Sequence, residues 1–139
     1  MSEALLLDSG PLVAFLNRKD RLHSWALQVF GSVAPPLFTC EAVLSEACFL
    51  LRRASGGPDA VLDLVERELL VVGFRCEPEI PALRRLLARY ANRPMSFADA
   101  CLVRMSEQLP SCRVLTADED FKVYRRHSRQ VIPTLLPAG

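Results

Sequence analysis

Apolar and polar residues follow one another along this chain in two rhythms, short continuous apolar runs and longer stretches with helical spacing. Ala4 to Leu7 is apolar without interruption and ends at Asp8, as a strand buried on both faces does. Pro11 then stands where a helix begins, and Leu12, Val13 and Leu16 carry that helix forward. A second helix is predicted from about Arg21 to Phe30, with Leu22, Trp25, Ala26, Val29 and Phe30 at helical spacing and a stop at Gly31. The Pro35-Pro36 pair breaks the chain before a brief extended piece at Leu37 and Phe38. Thr39 is placed to cap a long helix from Glu41 to Arg53, which runs into the turn Ser55-Gly56-Gly57, and Pro58 opens another helix, Asp59 to Glu68.

The second half repeats the alternation. Leu69 to Phe74 reads as a buried strand, and the helix after it gathers Ile80, Leu83, Leu86, Leu87 and Tyr90 on one side and Arg84, Arg85 and Arg89 on the other. Ser96 with Asp99 three residues on has the form of a capping box, opening a helix to about Leu109 that Pro110 ends. Cys112 to Leu115 is again a short apolar strand, followed by Thr116, Ala117 and Asp118, and Arg129 to Ile132 is predicted as an edge strand before a proline-broken tail. Strands alternating with helices predict an α/β layer sandwich on a mainly parallel sheet. At ~100–200 residues per domain, 139 residues predict one domain across 1–139.

Composition narrows the picture. Seventeen Lys and Arg against sixteen Asp and Glu leave a formal charge of +1, so any contact with a polyanion must rest on local patches. Five cysteines, odd in number and without CxxC spacing, suggest neither a disulfide framework nor a zinc knuckle, and a reducing cytoplasm suits them. Two histidines make a histidine-based zinc site improbable. The opening residues lack a basic start and are broken by Asp8, unlike a signal peptide, and no apolar run reaches the ~18 residues of a membrane span.

Two strands end alike, at Asp8 and at Asp118, and ligands of open α/β sheets sit beyond the carboxyl ends of the strands. Glu46 lies within a turn of Val43 and Leu50, on the flank of a buried stripe, and Asp99 lies between Ala98 and Ala100. Carboxylates in apolar settings need a partner, and a shared Mg²⁺ or Mn²⁺ ion supplies one. The chain has no G-x-G-x-x-G, Walker A, G-x-S-x-G or H-E-x-x-H motif. Several of these acids also have ordinary structural roles open to them. Asp99 is the capping-box partner of Ser96, Asp118 suits a turn or N-cap, Asp120 suits the first turn of a final helix, and Glu41 competes with Glu46 from a helix start that favours acids anyway.

The strand ending Asp8-Ser9-Gly10-Pro11, the helix with Leu44-Ser45-Glu46-Ala47, the Phe97-Ala98-Asp99-Ala100 helix start and Leu115-Thr116-Ala117-Asp118-Glu119-Asp120-Phe121 together resemble the PIN-domain ribonucleases. The short length and the segment from Tyr90 to Ala100 are similar to the VapC-type toxins of bacterial toxin–antitoxin pairs. The resemblance implies a PIN-like three-layer α/β/α sandwich and a metal-dependent endoribonuclease. Asp8, Glu46, Asp99 and Asp118 would be its acidic cluster, with Asp120 a fifth member, Ser9 and Thr116 nearby hydroxyls, and one or two Mg²⁺ or Mn²⁺ ions. It also implies an RNA substrate, a small antitoxin and a homodimer in the cytoplasm, with no membrane. The arginine groups at 84, 85, 89 and 93 and at 125, 126 and 129 suit ordinary solvated faces, and some of their members are expected to line the substrate path. A PIN-type nuclease of RNA processing or repair, and a non-catalytic PIN-like module that binds RNA or protein, are the alternative readings.

Overall fold

In the computed structural model residues 3–138 are described. β1 (Ala4–Leu7) lies at the centre of a five-stranded sheet. It pairs in parallel with β2 (Leu37–Thr39) on one side and β4 (Cys112–Leu115) on the other, and β3 (Leu70–Val72) adds to β2. Strands buried on both faces carry apolar residues at every position, and β1 shows it: Leu6 faces one core cluster while Leu5 and Leu7 face the other.

Helices cover both faces, giving the α/β/α sandwich expected. On the side of Leu5 and Leu7 pack α1 (Ser9–Leu16), α2 (His23–Ser32), α3 (Glu41–Leu50) and α4 (Gly57–Glu66), through Leu12, Val29, Ala47 and Val61. On the side of Leu6 pack α5 (Ile80–Arg89) and α6 (Phe97–Gln108), through Leu83, Leu86 and Leu102. A short 3-10 turn, Glu119–Lys122, follows β4 and buries Phe121.

Several expectations shift. α1 starts two residues before Pro11 because Asp8 caps it, its Oδ1 accepting from the Ser9 N–H at 2.7 Å. Gly31 lies inside α2, which runs on to Ser32. Thr39 does not cap α3; its hydroxyl donates instead to the Leu7 carbonyl at 2.8 Å, tying β2 to β1, and Cys40 takes the cap position. α3 ends at Leu50, and the chain turns through Gly56 and Gly57 at φ of 87° and 54°, a left-handed region that favours glycine. The last strand of the main sheet is β7 (Thr134–Leu135), parallel to β4; the predicted edge strand at 129–132 contributes only β6 (Gln130–Val131), a hairpin partner of β5 (Arg125–Arg126). The Pro133 carbonyl accepts from the Val114 N–H at 2.9 Å, so the proline stands beside the sheet without interrupting it. The capping box of α6 forms as predicted, Ser96 and Asp99 bonding each other's backbone N–H.

Candidate active site

The carboxyl ends of β1 and β4, the middle of α3 and the start of α6 meet around an open cavity of about 380 Å³. Asp8, Glu46, Asp99 and Asp118 line it together with Ser9, Gly10, Ser96 and Ala117, and no basic side chain shares the lining. The parallel register explains the meeting. Leu7 pairs with Leu115, so the residues following each strand emerge side by side, and the Asp8 N–H donates to the Leu115 carbonyl at 3.0 Å.

Each carboxylate is held in place. The Thr116 hydroxyl donates to Asp8 Oδ2 at 2.7 Å while accepting from the Asp118 N–H at 3.0 Å, so one buried side chain orients both strand ends. Asp118 Oδ1 accepts from the Asp120 N–H at 2.8 Å, and the Ser9 hydroxyl donates to Glu46 Oε1. Asp99 Oδ2 accepts from the Ser96 N–H at 3.1 Å and from the Tyr124 hydroxyl at 3.4 Å. Gly10 and Ala117 both line the cavity, and a Cβ at Gly10 would come to 3.4 Å from that of Ala117, so a larger side chain there would take space from the site.

Burial dominates the electrostatics. Asp8 is 6% exposed, and burial raises its pKa to about 6, with the charges of Asp99 and Glu46 adding to a rise that the Thr116 and Ser9 bonds oppose. Asp99 is raised for the same first reason, then by the charges of Asp118 and Glu46. Tyr124, fully buried, is also raised, by burial first and then by Asp99. These directions describe negative charge gathered without a counter-charge.

Residues 5–126 match the family model of the PIN domain. The chain belongs to the PIN domain family. The fold is shared with VapC20 of Mycobacterium tuberculosis, described as a sarcin–ricin loop cleaving toxin, at a TM-score of 0.74 and 22% identity over 86% of this chain and 94% of that one. No curated protein matches the sequence.

In this PIN domain, four of the five acids singled out from the sequence share one cavity, and the fifth stands apart. Asp120 lies in the turn after β4 and pairs with Arg93 at 3.5 Å, outside the cavity lining. Glu46 is exposed rather than set in an apolar flank, and Leu50 beside it is 50% exposed because α3 ends there. Sequence reasoning missed two residues of the site. Ser96 carries only a cap signal in the sequence, though that cap is itself in the cavity wall, and Tyr124 carries no local pattern that ties it to an acid 25 positions away.

The donor set fits a small hard dication. It offers only oxygens, four carboxylates with hydroxyls, and neither thiol nor imidazole lines the cavity. Among the described residues no three such acids already form a chelating group. Mg²⁺ and Mn²⁺ commonly share a few carboxylates with waters and substrate phosphates, so an open arrangement suits them.

Proposed function

We propose that this chain is a metal-dependent endoribonuclease, the toxin of a toxin–antitoxin pair that cuts a structured RNA and so inhibits translation in the cytoplasm. The observation that carries this reading is the convergence of Asp8, Glu46, Asp99 and Asp118 from four different elements on one cavity without a cation. These acids would hold one or two Mg²⁺ or Mn²⁺ ions. When bound, such an ion lowers the pKa of a water for in-line attack on a phosphodiester and stabilises the leaving oxygen.

The chain's own residues supply position. Thr116 fixes Asp8, Ser9 fixes Glu46, and Ser96 with Tyr124 fixes Asp99, so none of the three swings freely toward solvent. Geometry held in advance is worth rate, because little reorganisation is left for the reaction. Asp120, engaged by Arg93, is assigned no metal role.

Two apolar surfaces support the partners. Phe15 and Phe30 stack at 4.4 Å beside a crevice walled by Leu37, Leu64 and Leu70, a place for the apolar anchors of an antitoxin helix. Phe49 and Phe97, 62% and 44% exposed, line an open cleft next to Glu46 and Ser96 and supply apolar area for a homodimer. Among the described residues no helix is long and apolar enough to cross a membrane.

The test is to map the RNA ends that arise after brief expression of wild type and of Asp8→Asn. New ends at defined positions in the wild type alone support the reading, and identical end profiles overturn it. Growth rescue by the neighbouring small reading frame, with co-purification, tests the antitoxin. A strict monomer by light scattering at micromolar concentration would refute the dimer.

A further inference from the structure

Without its ion, a cavity lined by acids repels the phosphate backbone, so an RNA nuclease of this kind needs further phosphate contacts outside it. Most of the cations are already engaged inside the protein. Arg67, Arg93, Arg104, Arg113 and Lys122 pair with carboxylates. Arg52, Arg89, Arg125 and Arg126 donate to backbone carbonyls. Four of the seven arginines in the groups at 84–93 and 125–129, those at 89, 93, 125 and 126, are among these nine.

Eight cations make no such bond among the described residues, and three of them meet in one place. Arg18, Lys19 and Arg53 line a cleft of about 560 Å³ with Leu16, Asn17 and Leu50, and no acid lines it. All three are exposed. The cleft is tied to the acidic cavity by two packed helices. α1 begins at Ser9 in the cavity and ends at Leu16 in the cleft, and α3 places Glu46 in the cavity and Leu50 in the cleft. At 1.5 Å per residue the seven steps of α1 separate the two by roughly 10 Å, a few nucleotides of single strand.

Resting on the nuclease reading above, we propose that the cleft formed by Arg18, Lys19 and Arg53 holds the RNA backbone beside the cut, with phosphates as its ligands. Arginine and lysine side chains not bound to carboxylates release counterions when they meet phosphates, which makes the contact measurable as a salt dependence.

The experiment measures binding of a labelled single-stranded RNA by fluorescence anisotropy in EDTA, across ~50–200 mM salt. It compares wild type with Arg18→Gln/Lys19→Gln/Arg53→Gln and with a control of equal charge change, Arg67→Gln/Arg75→Gln/Arg113→Gln, whose residues reach solvent outside the cleft and outside the arginine groups expected to meet phosphate. The cleft variant is expected to flatten the plot of log affinity against log salt by about 2, near 0.7 per lost phosphate contact, while the control changes it little. Equal effects of the two variants, no effect of the cleft variant, or no binding by wild type would overturn the proposal. Cleavage of RNA by wild type in Mn²⁺ is scored separately: cleavage with unaltered binding by the cleft variant sinks the cleft alone, and cleft-dependent binding without cleavage sinks the nuclease reading.

Discussion

The two ends of α1 have opposite chemistry. At its start, Asp8 and three further carboxylates share a cavity without a cation; at its end, Arg18, Lys19 and Arg53 share a cleft without an acid. Elsewhere several opposite charges stand paired, as in Arg104 with Glu79 at 2.6 Å and Arg113 with Glu3 at 2.7 Å. Pairing gives up to about 1 kcal/mol at a surface, whereas a buried carboxylate among like charges destabilises the fold. For Asp8, raised from 3.8 to about 6, the cost is about 3 kcal/mol once it is ionised. Segregated charge that weakens the fold is what a site for a cation and a polyanion requires, and packing alone gives no reason for it.

Neutralising the acidic end should have the largest effect. Asp8→Asn, Glu46→Gln, Asp99→Asn and Asp118→Asn should each lower RNA cleavage by on the order of 10²–10³-fold, a loss of several kcal/mol of transition-state stabilisation, with an unchanged circular dichroism spectrum.

The next effect appears in stability without metal. The folded protein binds the Asp8 proton more tightly than the unfolded chain does, so stability falls as pH rises from about 4 to about 6 and stays lower above that. In EDTA, Asp8→Asn should therefore melt above wild type near pH ~7 and lose that advantage near pH ~4. The gain is below the full 3 kcal/mol because the bond from Thr116 is disturbed, at about 1 kcal/mol. Parallel melting curves of the two proteins across this range would contradict the assignment of buried, uncompensated charge.

Added Mn²⁺ or Mg²⁺ should stabilise wild type, by about 2.7 kcal/mol at a hundredfold excess over the dissociation constant. Asp99→Asn should melt at or above wild type in EDTA and gain much less from the ion. Equal gains would remove Asp99 from the ligand set. The smallest effect belongs to Asp120→Asn, which weakens a partly exposed pair with Arg93 and should alter stability by at most about 1 kcal/mol and cleavage only a few-fold.

The residues at the strand ends were legible because their signals are local. An apolar run closed by an acid places Asp8 and Asp118, and a serine three residues before an acid places Asp99 at a helix start. Those local rules also sufficed for the parallel sheet and its two helical layers. They failed where a side chain answers to a distant neighbour. Thr39 turns from its expected cap to the Leu7 carbonyl, Tyr124 reaches Asp99 through the core, and Asp120 is claimed by Arg93. β7 was hidden because only two residues beyond Pro133 pair with β4. The cationic cleft joins residues more than thirty positions apart, Arg18 and Lys19 to Arg53, and no local pattern links them.

If the gathered carboxylates bind a dication that cuts RNA, cleavage depends on that ion and on Asp99. Purified wild type and Asp99→Asn, incubated with a structured RNA while Mn²⁺ is titrated into EDTA-treated protein, test it most directly. Cleavage at defined positions that appears with the ion in wild type, and is lost on the order of 10²-fold in the variant, is the predicted result. Cleavage that persists in EDTA, or that Asp99→Asn retains in full, would contradict it.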